Sequence, residues 1–247
     1  MNSTRWLAAA LVIVLAGFGI VLWRQQQVIN SMAAGAEGVQ TAVPTQSADL
    51  VKTTPALSNV TLDVTVAGAP SQGAAATNVV FLEFSDFQCP YCGRYQRDVY
   101  PRIQHDYVQT GKVRYVFRQL PLQGLHPNAM GAAIVASCAA VQGKFWEVHD
   151  RLFAHQDQLA MPVILEQTKG LGMDDGALQA CVTGAQPAAD IAASRSDAVR
   201  SGFTGTPGFL VGTVGADGVL HAVRRLYGAQ PYSLFQSAID DVLAGKK

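Results

Sequence analysis

The chain has 247 residues, 49% of them hydrophobic, enough for one large domain or two small ones with a real core. Its 18 basic residues balance 18 acidic ones and no basic cluster stands out, which argues against nucleic acid as a general partner. Charge excludes nothing more.

From Trp6 to Trp23 the stretch WLAAALVIVLAGFGIVLW carries no charge and lies between Arg5 and Arg24. As a helix it would rise roughly 27 Å, just enough to cross a bilayer core of about 30 Å. A Trp at each end suits the two interfaces. The rival is a cleaved signal peptide, whose apolar region is normally about 7–15 residues with a small-x-small site close behind. Here the first such site, Ala34-Gly35-Ala36, lies beyond the polar RQQQVINS. Residues 1–24 are therefore read as a membrane anchor, with a signal as the alternative. Residues 25–59, rich in Gln, Ala, Gly, Thr and Ser without a sustained period, read as a flexible linker.

The folded part is expected over residues 60–247. A first strand, TLDVTV, is followed by a patch of small residues from Gly68 to Thr77 and then by VVFLEF, Val79 to Phe84, a run that suits a buried strand. A helix is expected from the CPYC segment to about Val108, with Pro101 as its point of interruption. From Lys112 to Leu120, Val113, Tyr115 and Phe117 alternate with charged neighbours, a strand with one face covered. Strand, helix and strand in this order imply a parallel pair with a right-handed crossover. Ile134, Cys138, Val141, Phe145, Val148 and Leu152 then form one helical stripe, which Gly143 could divide. Three shorter helices follow, Pro162 to Lys169, Asp174 to Thr183 (Asp174 or Asp175 as N-cap) and Pro187 to Ser201. A hairpin of Phe209 to Val214 and Val219 to Arg225 turns at Gly215-Ala216-Asp217-Gly218, and Pro231 opens a last amphipathic helix through Leu234, Phe235, Ile239 and Leu243. The class is α/β with a helical insertion.

Chemistry concentrates at EFSDFQCPYCGRY, Glu83 to Tyr95. If Cys89 stands where strand gives way to helix, Pro90 takes the first helical position, where its missing N–H costs nothing. The helix N-terminus then favours thiolate at Cys89, and thiolate is the nucleophile. Cys92, further into the helix, would be the shielded partner that a two-step exchange through a mixed disulfide needs. A zinc site wants four ligands and one C-x-x-C supplies two, with no suitably spaced His. A purely structural bridge in so tight a loop would remove little unfolded-state entropy. Glu83 is either a solvent-facing strand residue or a buried functional one. Thr206-Pro207, between Gly205 and Gly208, is on its own a loop.

FLEFSDFQCPYC closely resembles the active-site segment of the DsbA-like family in the thioredoxin superfamily, in its membrane-anchored form. The resemblance runs from roughly Asn78 to Ala244 and takes in HPNA and CAAVQGKFWEVHDRLF. It implies a thioredoxin-like fold with a helical insertion at about 126–202, behind an N-terminal transmembrane helix. It implies a redox-active Cys89–Cys92 disulfide, a buried Glu83 assisting proton transfer, and a cis Pro207 against that disulfide. Thr206 and Pro207, with Pro90 and Tyr91, would bind an extended substrate segment as in strand addition. Some anchored members carry a second bridge, which here would join Cys138 to Cys181; the bland reading is two buried free thiols. An even cysteine count behind an anchor fits an oxidising exterior.

The expected function is an extracytoplasmic oxidoreductase, held at the cell membrane by a single span, that introduces disulfides into reduced exported proteins. A quinone-linked membrane partner of the DsbB or vitamin K epoxide reductase type would reoxidise it. A monomer with no metal and no cofactor is expected. Pro-Tyr stands between the cysteines where strongly oxidising members carry Pro-His, and Thr before the cis-proline occurs among isomerase relatives. A reductase or isomerase of the same fold therefore stays open, as does a non-catalytic peptide-binding module or holdase.

Overall fold

The computed structural model describes residues 56–246; the expected anchor at Trp6–Trp23, and most of the expected linker, lie outside the described residues. Among the described residues no helix is long and apolar enough to cross a membrane. The sheet is built around β3 (Val79–Ser85), every residue of which is buried. β4 (Arg114–Gln119) runs parallel to it on one side and β5 (Gly208–Val214) antiparallel on the other. β6 (Val219–Tyr227) pairs with β5, β1 (Leu57–Thr65) with β6, and β2 (Ser71–Gln72) with β4, giving the order β1-β6-β5-β3-β4-β2.

Three of these strands differ from the sequence expectation. β1 begins at Leu57, inside the stretch read as linker, because pairing with β6 extends it past the apolar TLDVTV core. β2 lies within the small-residue patch and is fixed only by its ladder with β4, a contact that no local pattern announces. β4 is covered on both faces at its centre, where Tyr115, Val116 and Phe117 are all buried.

Between β3 and β4 run α1 (Pro90–Asp98), α2 (Tyr100–Ile103) and a π turn at Gln104–Val108. The break falls at Val99, two residues before Pro101, so that the proline sits in a first helical turn where no N–H is needed. The insertion comprises α3 (Ala129–Val141), α4 (Phe145–Ala154), α5 (Met161–Thr168), α6 (Asp175–Val182) and α7 (Gln186–Arg200). Gly143, at φ +70°, separates α3 from α4. The expected stripe is not kept within α3: Cys138 and Phe145 are buried, but Val141, the last residue of α3, is 81% exposed. The Asp174 side chain accepts the Ala177 N–H at 2.7 Å and caps α6. α8 (Tyr232–Leu243) closes the chain.

Alternate residues of β3 feed two cores. Val79 and Phe81 face α1, α2 and α8 with Tyr95, Tyr115, Phe209 and Phe235. Val80, Leu82 and Phe84 face the other way, with Val116, Phe203, Leu210 and Ala198 of α7. A third cluster fills the insertion and reaches back through Phe87 and Phe117. Phe81, fully buried against Tyr115, Phe209 and Phe235, contributes roughly 1.5–3 kcal/mol. Glu83 and Ser85 continue the first of these faces to the end of β3, under the start of α1.

Candidate active site

Cys89 is the N-cap of α1, with extended backbone (φ −71°, ψ 122°) and Pro90 in the first turn. The loop that delivers it is fastened residue by residue. Asp86 accepts the Gln88 N–H on Oδ1 at 2.8 Å and the Cys89 N–H on its carbonyl at 3.1 Å. Its Oδ2 accepts the Leu122 N–H at 2.8 Å and lies 2.8 Å from His126 Nδ1. Gln88 Oε1 accepts the Asn128 N–H at 2.7 Å. Gln156, just past α4, donates from Nε2 to the carbonyls of Phe87 and Cys89 at 2.7 and 3.0 Å. The HPNA segment and the end of α4 thus hold the loop that carries the first cysteine. Gly93 is required by this arrangement, since a Cβ there would meet Gln156 Oε1 at 1.8 Å.

Both thiols are free, and both are covered: Cys89 keeps 3% of its surface and Cys92 none. The first sulfur is less open than expected because the turn before β5 lies against it, and Cys89 Sγ donates to the Thr206 carbonyl at 3.5 Å. The Thr206–Pro207 bond is cis. Pro90 and Tyr91 remain on the surface, Tyr91 57% exposed, with Arg94 over its ring.

The two sulfurs titrate in opposite directions. A hydrogen bond from Cys92 is the main cause that lowers the Cys89 thiol from 9.0 to about 6; the Thr206 side chain and the N–H groups of Cys92 and Tyr91 assist, against the effect of burial. Burial, and then the neighbouring Cys89, push Cys92 well above the ordinary thiol range. The result is a ready nucleophile at the helix start with a protonated partner behind it.

Of the two readings of Glu83 the structure gives the buried one. Burial raises its carboxyl from 4.5 to about 7, against the nearby Ser85, Tyr115 and Gln96 side chains, which favour the charged form. Gln96 Nε2 donates to Glu83 Oε2 at 3.1 Å, and the Tyr115 hydroxyl donates to the same oxygen. Cys138 and Cys181 are bonded to each other across 43 positions, linking α3 to α6 away from the Cys89 loop.

Sequence reasoning brought Cys89, Cys92, Glu83, Thr206, Pro207, Pro90 and Tyr91 to attention, and the fold gathers them at the sheet end where α1 begins. It missed Ser85, Asp86, Gln96, Tyr115 and Gln156. Gln96 had a usable signal, four residues after Cys92 on one helical face. Tyr115 and Gln156 had none, because their partners lie 32 and 67 or more positions away.

The family model described as thioredoxin matches residues 65–240. Among curated proteins, Na(+)/H(+) antiporter NhaA 3 of Salinispora tropica is 39% identical over 140 residues, 57% of this chain and 21% of that protein. The chain spans about a quarter or less of the length of its first matched relatives, so the antiporter name describes mainly sequence without a counterpart here. Disulfide bond formation protein D of Bacillus subtilis is 29% identical over 91 residues, 37% of this chain and 41% of that one. Among solved structures, oxidised BdbD of Bacillus subtilis aligns with TM-score 0.65 and 20% identity over 76% of this chain and 99% of its own. The alpha-DsbA1 protein of Wolbachia pipientis aligns with TM-score 0.60 and 20% identity over 72% of this chain and 92% of its own.

Proposed function

The chain belongs to the DsbA-like thiol–disulfide oxidoreductases of the thioredoxin superfamily, and from that premise we propose that it introduces disulfide bonds into reduced exported proteins through Cys89 and Cys92. The opposed titration of the pair supports this direction. A stabilised Cys89 thiolate favours the reduced enzyme, and a couple whose reduced form is favoured is the oxidant. In the oxidised enzyme a client thiolate attacks Cys89 Sγ; the Cys89–Cys92 bond breaks and Cys92 leaves with the electron pair. Buried Cys92 needs a proton at that moment, and Glu83, half-protonated near pH 7, supplies it. A second client thiolate then attacks the client sulfur of the mixed disulfide, releasing Cys89 as thiolate. The client has lost two electrons and the enzyme has gained them. Thr206 and Pro207 would hold the client segment in an extended form beside the sulfurs, with Pro90 and Tyr91 as its other border.

The proposal extends to the cell. Trp6–Trp23 would anchor a monomer by a single span, with the catalytic domain on the extracytoplasmic side. A membrane partner of the DsbB or vitamin K epoxide reductase type would return it to the disulfide form. The name of the Bacillus subtilis relative, a disulfide bond formation protein, agrees with this direction. Equilibration with glutathione buffers tests it: a potential near −120 mV is expected for an oxidant. A value near −270 mV would overturn it in favour of a reductase.

A further inference from the structure

Both donors that reach Glu83 end on one oxygen. Tyr115 Oη and Gln96 Nε2 donate to Oε2, while Oε1 is enclosed without a partner. An oxygen that already accepts an O–H and an N–H has no place for a proton of its own, so the neutral acid carries its proton on Oε1. Ser85 follows two residues later on the same face of β3, fully buried, and its Oγ has no partner either. A hydroxyl both donates and accepts, and this one lies within interaction range of Glu83 and of Cys92, favouring the charged form of each. We propose that Tyr115 and Gln96 hold Glu83 so that Oε1 is its proton-bearing oxygen, and that Ser85 passes that proton to Cys92 and back.

The inference rests on the proton role given to Glu83 above. The titratable groups facing that carboxyl are Cys89, Cys92 and Tyr95 from α1, Tyr100 from α2 and Tyr115 from β4. β5 brings Phe209 alongside, and no cationic side chain is among the groups that act on it. All of the neighbouring tyrosines have their hydroxyl pKa values raised, so they stay neutral and Tyr115 remains a donor at any working pH.

The test uses the reduced full chain and oxidised glutathione. Cys89 thiolate attacks one glutathione sulfur, a first glutathione thiolate departs, and a Cys89–glutathione disulfide forms. The Cys92 proton passes through Ser85 to the Glu83 carboxylate; Cys92 attacks Cys89 Sγ, and the second glutathione leaves with the electron pair. Acid quenching and intact-mass detection give the rate of this second step against pH. In the unaltered protein it should rise with a midpoint near 7 as the carboxylate forms. Tyr115→Phe removes a hydrogen bond that favours the carboxylate, so the midpoint should move upward with the plateau kept. Ser85→Ala should lower the plateau on the order of a hundredfold, and Ser85→Thr, which keeps a hydroxyl, should restore it. An unchanged plateau in Ser85→Ala would overturn the relay, and an unmoved midpoint in Tyr115→Phe would overturn the clamp. Glu83→Gln separates the two levels. If it abolishes the midpoint while the other variants change nothing, this inference fails and the role of Glu83 stands. If the midpoint near 7 persists in Glu83→Gln, both fail.

Discussion

A carboxyl group closed between a sheet and a helix titrates against its own burial, and Glu83 does so at about 7 in place of 4.5. Between those values the folded protein keeps a proton that the unfolded chain gives up. The stability this group confers is full below about 4.5 and is lost as the pH rises through about 7. Glu83→Gln keeps the shape and the acceptor for Tyr115 and Gln96 without a charge to bury. In the oxidised form, where Cys89 and Cys92 do not titrate, the variant should match the parent near pH 4.5 and exceed it above pH 7, by up to about 3 kcal/mol. Urea unfolding at the two pH values measures this; equal stability at both would remove the burial argument. Cys89 works with the opposite sign in the reduced form, stabilising the fold above about pH 9 and losing that contribution as the pH falls through about 6. At this scale Cys89, Cys92 and Pro90 were legible because their chemistry depends on neighbours in sequence. The partners of Glu83 were not, because alternation along a strand says which face Ser85 and Tyr115 share but not what lies above that face.

At the scale of elements, the helical insertion does more than cover the sheet. Its start supplies Asn128 and the turn after α4 supplies Gln156, and with His126 these hold the loop from Asp86 to Cys89 at hydrogen-bond distances of 2.7–3.0 Å. Gln156 occupies the space above Gly93, so Gly93→Ala should drive it off both carbonyls, since its side-chain end is free to swing where the backbone of α1 is not. Gly93→Ala and Gln156→Ala should then show the same loss of exchange rate at Cys89. The double variant should be no slower than either, the non-additivity expected of two changes that break one contact. Additive losses, measured as alkylation rates of Cys89, would show that Gly93 matters for another reason. The helices themselves were largely visible in the sequence from apolar spacing, and the capping Asp174 was too. What misled was the face chosen within α3, where Ile134 and Val141 were read as core positions. The buried face of α3 runs through Ala132, Val135, Ala136 and Ala139, which leaves Val141 on the surface, and the +70° turn at Gly143 then starts α4 in a new direction.

Across the whole molecule, the strand–helix–strand unit, the late hairpin and the core of β1 could be read from local pattern, while β2 and the start of β1 could not, because pairing alone makes them. The Cys138–Cys181 bond is likewise a long-range fact, and what it holds can be worked out from its surroundings. α6 buries only Leu178, and its N-terminus is tied to the end of α3 by a reciprocal pair: the Asp174 N–H to Gln142 Oε1 at 2.8 Å, and Gln142 Nε2 to the Asp174 carbonyl at 3.2 Å. So little apolar contact cannot offset the ordering of an eight-residue helix, and the disulfide supplies the remaining constraint. Closing 43 positions is worth roughly 4 kcal/mol at most in the chain-entropy model. Replacing both cysteines by Ala should therefore open α6 locally before it unfolds the domain. Hydrogen exchange should show faster amides over Asp175–Val182, with the protection of β3 and β5 lowered by no more than that global loss. Exchange at Cys89 should be kept, because Asp86, Gln88 and Gln156 draw their partners from outside α6. A variant that lost protection equally in α6 and β3 would mean that the bridge stabilises the domain as one unit. One that kept its stability but lost exchange at Cys89 would mean that the second cysteine pair takes part in the redox chemistry.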